Sequence, residues 1–385
     1  MPEGYDPFTP TSDPFSPQAA MAASCPLHRV RGRDAAMVTG MAHVLEVLRD
    51  QGRFSSRSSR PRHGDLGTSL IHLDGEEHAR QRRLVNRAFT PRAVGRMRPR
   101  IEQIAAELVD QIADAGKADL VEAFAAPLPF IVMAEALGIP DDDRPRFVHW
   151  ADDAIASANV NTLPASDGDF RAYVLSAITE RRAAPRDDLI SQIVNVSEGD
   201  DHLDDAQLIA LVRLLIIAGI ETTGNLVATV VRLLLDDPAR WAEVEADRSL
   251  VPAAVEEALR LDPPLNWTPR LVEQPTELAA HEIPEATMLL VGLASANRDP
   301  AVHDEPDRFD LHRPVPDGPA HVAFGNGVHF CLGAALARLE AEVALQVLLD
   351  RLDGVALADG WIFEPRGPQM MRGCKTLDVT FDVRA

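Results

Sequence analysis

The sequence predicts a mainly α-helical protein with small β-sheets, organised as one domain over residues 1–385. Three observations predict it. Apolar residues recur mostly at helical spacing, the longest apolar stretch carries helix start and stop signals, and strand-like alternation is confined to a few short runs.

Along the chain, residues 1–17 are rich in Pro, Asp and Phe and read as a Pro-rich coil; no basic segment precedes an apolar core, so no secretory signal is expected. Residues 97–113 form an amphipathic helix with Ile101, Ile104, Ala105, Leu108 and Ile112 on one face. Residues 204–236 form the most informative helix. Asp204 and Gln207 make a capping pair, Asp237-Pro238 stops the run, and at 1.5 Å per residue it spans roughly 45 Å. Its residues are apolar nearly all round, which predicts burial. Residues 253–261 form a short helix ended by Asp262-Pro263-Pro264. Residues 288–292 form an apolar strand, and Leu377, Val379, Phe381 and Val383 alternate as another. Residues 332–352 form a helix with Leu336, Leu339, Val343 and Val347 inward, terminated by Gly354. The Pro-rich stretch at 313–319 reads as ordered coil.

Lys and Arg number 38 against 59 Asp and Glu, a net charge of −21. Such a surface is repelled by nucleic acid and by anionic membranes. Cys25, Cys331 and Cys374 are too few and too scattered for a disulfide framework and fit a reducing cytoplasm. The longest apolar stretch is broken by Arg213, Glu221 and Arg232, so no membrane span is expected.

The sharpest signal is Phe324-Gly325-Asn326-Gly327-Val328-His329-Phe330-Cys331-Leu332-Gly333. Glycines at 325 and 327 permit backbone geometry that a side chain would obstruct, as a loop pressed against a flat ligand requires. Cys331 is expected at the start of a helix, where unsatisfied amides and the helix dipole favour a thiolate. A lone cysteine is more often a buried structural thiol; the spacing of Phe, three Gly, His and Cys is what distinguishes this one.

This segment resembles the haem-binding loop of the cytochrome P450 family in its soluble bacterial form. The resemblance implies a cytochrome P450-like helical domain holding haem b (iron protoporphyrin IX) between the long central helix and the Cys-loop helix. It implies that Cys331 is the proximal iron ligand, that Phe330 packs against the proximal face of the haem and that Phe324 belongs to the same cofactor site. A thiolate in that place promotes cleavage of the O–O bond. His78 and Arg82, four apart on a helix, with Arg270 and His329, resemble the family's partners for the haem propionates.

Glu257-Ala258-Leu259-Arg260 puts an acid and a base on one helical face, ordinarily a weak surface pair. In the family the same pair is buried and joined by a third arm, here Arg313, with the structural task of holding the Cys331 loop. Ala218-Gly219-Ile220-Glu221-Thr222-Thr223 lies midway along the long helix. Its plainest reading is a threonine that bends the helix beside an incidental acid. The resemblance implies instead an oxygen-activation groove, with Gly219 leaving room for oxygen and Glu221 and Thr222 relaying protons. Burial of Glu221 is expected to favour its neutral form.

The activity implied is monooxygenation of a small hydrophobic substrate, by hydroxylation or epoxidation, in the manner of secondary metabolism. Co-substrates would be O2 and electrons from a ferredoxin and ferredoxin reductase, or an equivalent NAD(P)H-linked donor, and the protein would act as a monomer. Oxidative coupling or desaturation on the same fold, or a haem-binding sensor without turnover, are the alternatives; Glu221-Thr222 argues against the sensor. Residues 78–100 hold arginines at 80, 82, 83, 87, 92, 96, 98 and 100 and no acid, and with Arg338 they are expected to dock an acidic electron donor. Pocket walls are expected from 55–75, 155–175, Ala218, Leu265 to Trp267 and Met370-Met371, with Asn159, Asn161 and Asn266 as polar points. Leu261, where the family commonly has an aromatic, and Glu285-Ala286, in place of Ala-Gly, depart from its pattern without touching these residues.

Overall fold

The computed structural model describes residues 1–2, 4, 6–9, 11, 13–57, 68–160, 165–197, 201–366 and 370–384, the side chains of 154–160 excepted. The chain folds into two compact units: residues 1–55, 97–128 and 222–385 form one, and residues 56–96 and 129–221 the other.

The first unit is built on a five-stranded sheet in the order Leu27–Arg29, Ala35–Val38, Met288–Gly292, Trp267–Val272, Phe54–Ser55. Ala35–Val38 runs parallel to Met288–Gly292, and the other pairings are antiparallel. Alternate side chains feed opposite faces. Ala36, Val38, Leu289 and Val291 enter one apolar cluster with Val44, Val47 and Phe54, while Met37, Leu290 and Trp267 enter another with Met21 and Val30. Covering on both faces explains why 288–292 reads as an unbroken apolar run.

A second sheet pairs Asp378–Val383 with Lys117–Asp119 and Leu352–Leu357. Val379 and Phe381 point inward, as the alternation requires, whereas Val383 is exposed. Helix Ala334–Arg351 packs on helix Arg98–Ile112. Leu336, Leu339 and Val343 are buried from one side and Ile101, Ile104, Ala105 and Leu108 from the other, with Val347 and Ile112 half-buried. Gly354 does not end this helix. The chain passes directly into strand Leu352–Leu357, and Gly354 sits within that strand at φ 59°. The N-terminal coil likewise stops short of residue 17, because Asp13 accepts hydrogen bonds from the amides of Phe15 and Ser16 and starts helix Phe15–Ser24.

The long helix is Asp205–Leu235. Gln207 N donates to Asp204 Oδ1 at 2.8 Å while Asp204 N donates to Gln207 Oε1 at 3.1 Å, a reciprocal capping box. Asp237 closes the run by capping the next helix, Pro238–Ala246. The helix is long and apolar enough to cross a bilayer, but two-thirds of its most apolar window is buried inside the protein. The boundary between the units falls between Glu221 and Thr222.

In the second unit, helices Gly75–Asn86, Arg144–Val160, Asp167–Ala183 and Leu189–Val194 surround apolar side chains that include Phe147, Trp150, Phe170 and Ile178. Arg213, which interrupts the apolar run in sequence, is satisfied by an ion pair with Asp167 and by stacking over Phe170. Arg181 and Asp188 form a buried pair at 3.0 Å.

Candidate active site

The cysteine loop closes on itself. Gly325 N donates to Val322 O at 2.8 Å, Phe330 N to Gly327 O at 3.1 Å, and Cys331 N to Phe324 O at 2.9 Å. Gly327 adopts φ 72°, and a Cβ there would lie 2.7 Å from Leu48 O. No residue with a side chain fits that turn without strain. Cys331 precedes helix Ala334–Arg351 rather than opening it.

Cys331 is exposed. Beside it, Val328 and Phe330 are 44% and 41% exposed, although large apolar side chains elsewhere in the described chain are mostly buried. The site therefore presents one soft donor within an uncovered apolar surface. Among the described residues, no cluster of three or more His, Cys, Asp or Glu forms a metal cage. That donor set suits a metal carried by a flat organic ligand, which needs one protein ligand and an apolar bed. Haem fits it.

Two consecutive acids on helix Val251–Leu261 brace the loop. Glu256 accepts from His321 Nε2 at 3.1 Å and from Arg338 Nε and Nη2 at 2.6 and 3.0 Å, joining the segments on either side of the cysteine. Arg338 in turn covers the Phe324 ring at 4.5 Å. Burial pushes the Glu256 carboxyl up, but the His321 and Arg338 contacts outweigh it and hold the group at about 2.

Glu257 accepts from Arg260 Nε and Nη2, both at 2.8 Å, from Arg313 Nε at 2.9 Å and from Asp310 N at 3.0 Å. Arg260, 2% exposed, also donates to the carbonyls of Asn297, Pro306 and Arg308. Asn297 Oδ1 then accepts from Val322 N at 2.7 Å, two residues before Phe324. The acid–base–base triad read from the sequence is assembled and reaches the loop through Asn297. Glu256, His321 and Asn297 escaped the sequence reading as supports of the loop, and Arg338, named there only for donor docking, is bonded to Glu256 as well.

The remaining residues divide between the units. Arg270 is buried in strand Trp267–Val272 and donates to Pro269 O, and His329 is half-buried in the loop; both belong to the first unit. His78 is buried on helix Gly75–Asn86 of the second unit, and Arg82 on the same helix donates to Asn86 Oδ1 at 2.8 Å. Ala218 is exposed, and Gly219, Glu221 and Thr222 are half-buried, on a helix otherwise mostly buried. The burial expected of Glu221 is therefore only partial. At Gly219 a Cβ would come within 2.8 Å of Met133 Cε, so a packing contact also favours glycine there.

The two wall segments expected far apart in sequence do meet. Leu265 bridges Met371, and Asn266 N donates to Met370 O at 2.8 Å. Trp267 turns its ring inward instead, edge-on to Phe8 and packed with Met370, which makes it a core residue rather than an open wall. Residues 58–67 and Asn161, and the side chain of Asn159, lie outside the described set. The basic patch is less positive than its sequence, because Arg80 pairs with Glu77 and Asp201, Arg98 with Glu342, and Arg338 with Glu256.

A family model described as Cytochrome P450 matches residues 22–162 and 169–357. Cytochrome P450 monooxygenase PikC of Streptomyces venezuelae is 37% identical over 96% of this chain and 91% of its own length. Erythromycin C-12 hydroxylase of Saccharopolyspora erythraea is 40% identical over 80% of each chain. Among solved structures, cytochrome P450 CYP109Q5 from Chondromyces apiculatus superposes with a TM-score of 0.91 at 36% identity, covering 98% of both chains.

Proposed function

The chain belongs to the cytochrome P450 family and is a monooxygenase of its bacterial class, and from that premise we propose that it binds haem b through Cys331 and oxygenates a small hydrophobic molecule of secondary metabolism. The observation that carries the proposal is the Cys331 loop, with an exposed cysteine following exposed Val328 and Phe330 and braced from both sides by Glu256. Bound haem supplies the oxidising chemistry, using O2 and two electrons to insert one oxygen atom into an organic substrate.

The chain's own residues hold, orient and feed that group. Cys331 would hold the iron through its sulfur, and Phe324 and Phe330 would form the apolar bed. Arg270, His329, His78 and Arg82 would be the partners of the two propionates. Glu221 and Thr222, partly accessible on a mostly buried helix, would hold and pass protons, and Gly219 with Ala218 would leave space beside them. Leu265 and Met370 line the substrate side. The 1–385 chain acts as one cytoplasmic, monomeric catalytic body, drawing electrons from a ferredoxin and its reductase or an equivalent NAD(P)H-linked donor. Erythromycin C-12 hydroxylase supports hydroxylation as the outcome.

The test is the spectrum of the reduced CO complex in the purified, haem-loaded protein. Wild type should give the thiolate-type band and Cys331→Ser should lose it. A band indifferent to that substitution would end the proposal.

A further inference from the structure

One face of the long helix beyond Thr222 is polar although buried. Asn225, Thr229 and Arg232 follow one another at three- and four-residue steps, so they share a stripe, and Asn225 and Thr229 are 4% and 2% exposed. Polar side chains in such a place are costly unless each has a task. Arg232 Nη2 donates to Asp262 Oδ2 at 2.7 Å, and Arg372 Nε donates to Asp262 Oδ1 at 2.5 Å. Asp262 is thus a buried acid shared by two arginines, one on the helix and one on the C-terminal segment. Phe363 lies between them, its ring 5.1 Å from Arg232 and 4.8 Å from Arg372.

A second contact lies one residue on. Gly373 is pressed so closely to the stripe that a Cβ would meet the Asn225 side chain at 2.2 Å. Between these contacts and the presumed substrate space runs a short backbone ladder: Arg372 N donates to Pro264 O, Leu265 bridges Met371, and Asn266 N donates to Met370 O. The ladder carries Leu265 and Met370, and its position is set by where Asp262 and Gly373 dock on the helix.

We propose that Arg232, Asp262 and Arg372, with the Gly373–Asn225 contact, form a latch that sets the size and reach of the substrate pocket by fixing the Leu265–Met370 ladder against the long helix. These are positioning residues, and the inference rests on the haem-thiolate reading above. Asp262→Asn removes the shared charge, leaving Arg372 without that acid and Arg232 with Asp236 alone of its two acids. Gly373→Ala inserts a methyl group where Asn225 stands, and adding Asn225→Ala restores the space.

The test uses haem-loaded protein and two iron-binding probes, imidazole and 1-dodecylimidazole, titrated by the shift of the haem spectrum. Imidazole senses the iron and not the walls, whereas the dodecyl chain senses the walls. Gly373→Ala and Asp262→Asn should each change the dodecyl probe's Kd at least fivefold with imidazole changed less than twofold, and the Gly373→Ala/Asn225→Ala double variant should return towards wild type. Amide hydrogen exchange at residues 371–376 should quicken in Gly373→Ala and slow again in the double variant, whether or not Asp262→Asn folds. Wild-type protein with a thiolate signature, together with Gly373→Ala that matches it in both probes and in exchange, overturns the latch alone. Wild type without that signature overturns the haem-thiolate reading and the latch with it.

Discussion

Glu257→Gln tests the brace behind the cysteine loop with a change of one atom. The carboxylate is 5% exposed and faces two guanidinium groups, Arg260 at 2.8 Å and Arg313 at 2.9 Å. The amide keeps one acceptor oxygen, so the bonds to Oε1 from Arg260, Arg313 and Asp310 N can survive. Its nitrogen, however, replaces the Oε2 that accepts from Arg260 Nε, and both arginines lose their counter-charge. Breaking a buried pair this way costs roughly 3–5 kcal/mol. For a chain of this length the unfolding entropy is about 0.8 kcal/mol/K, so the melting temperature should fall by about 5 °C. Thermal unfolding followed by circular dichroism reads this, with Glu364→Gln as the control. Glu364 pairs with Lys375 at 3.3 Å on the surface, where an ion pair contributes at most about 1 kcal/mol. If Glu257→Gln proved as mild as Glu364→Gln, the triad would not be an energetic brace and the reasoning from burial would be wrong.

Glu340, 3% exposed with Oε2 lacking a hydrogen-bond partner among the described residues, is pushed up by burial to about 8. Its folded value lies above its ordinary 4.5, so its support is complete below 4.5 and is lost as pH rises through 8; in urea unfolding, wild type should lose roughly 2.5 kcal/mol relative to Glu340→Gln between pH 5 and pH 7, a shift in the gap between the two. A constant gap would show that the carboxyl ionises freely. Gly327→Ala places a Cβ against Leu48 O at positive φ, a strain of roughly 1–3 kcal/mol. Transfer of haem to apomyoglobin should speed by about tenfold, and an unchanged rate would mean the turn yields easily. Glu256 has its folded value lowered to about 2, so its hold on His321 and Arg338 is complete above 4.5 and fades as pH falls towards 2. Glu256→Gln should therefore lose haem faster than wild type at pH 7, with the difference shrinking by pH 3; a difference that stays level would assign the effect to size and not to charge.

Much of the chemistry was legible because it is local. The glycines, histidine and cysteine of 324–333 encode their own turn, the Asp204–Gln207 capping box marks its own helix, and 288–292 shows by its apolar run that it is covered on both faces. Glu257 and Arg260 share a helical face by spacing alone. Glu340 could also have been found, since it lies on the inward face marked by Leu336, Leu339 and Val343.

What the sequence by itself determined is the long helix and a few other elements, the family resemblance and the residue proposed to hold the iron, since each depends on neighbours within a few positions. The tertiary structure alone decided which distant groups meet. It joined Glu256 to His321 and Arg338, Asp262 to Arg232 and Arg372, and turned Trp267 into the core instead of the pocket. Helical or strand period says which way a side chain points from its own element, but not what the chain brings opposite it. Partners 30 to 110 residues apart are selected only when whole faces pack and buried charges must find each other.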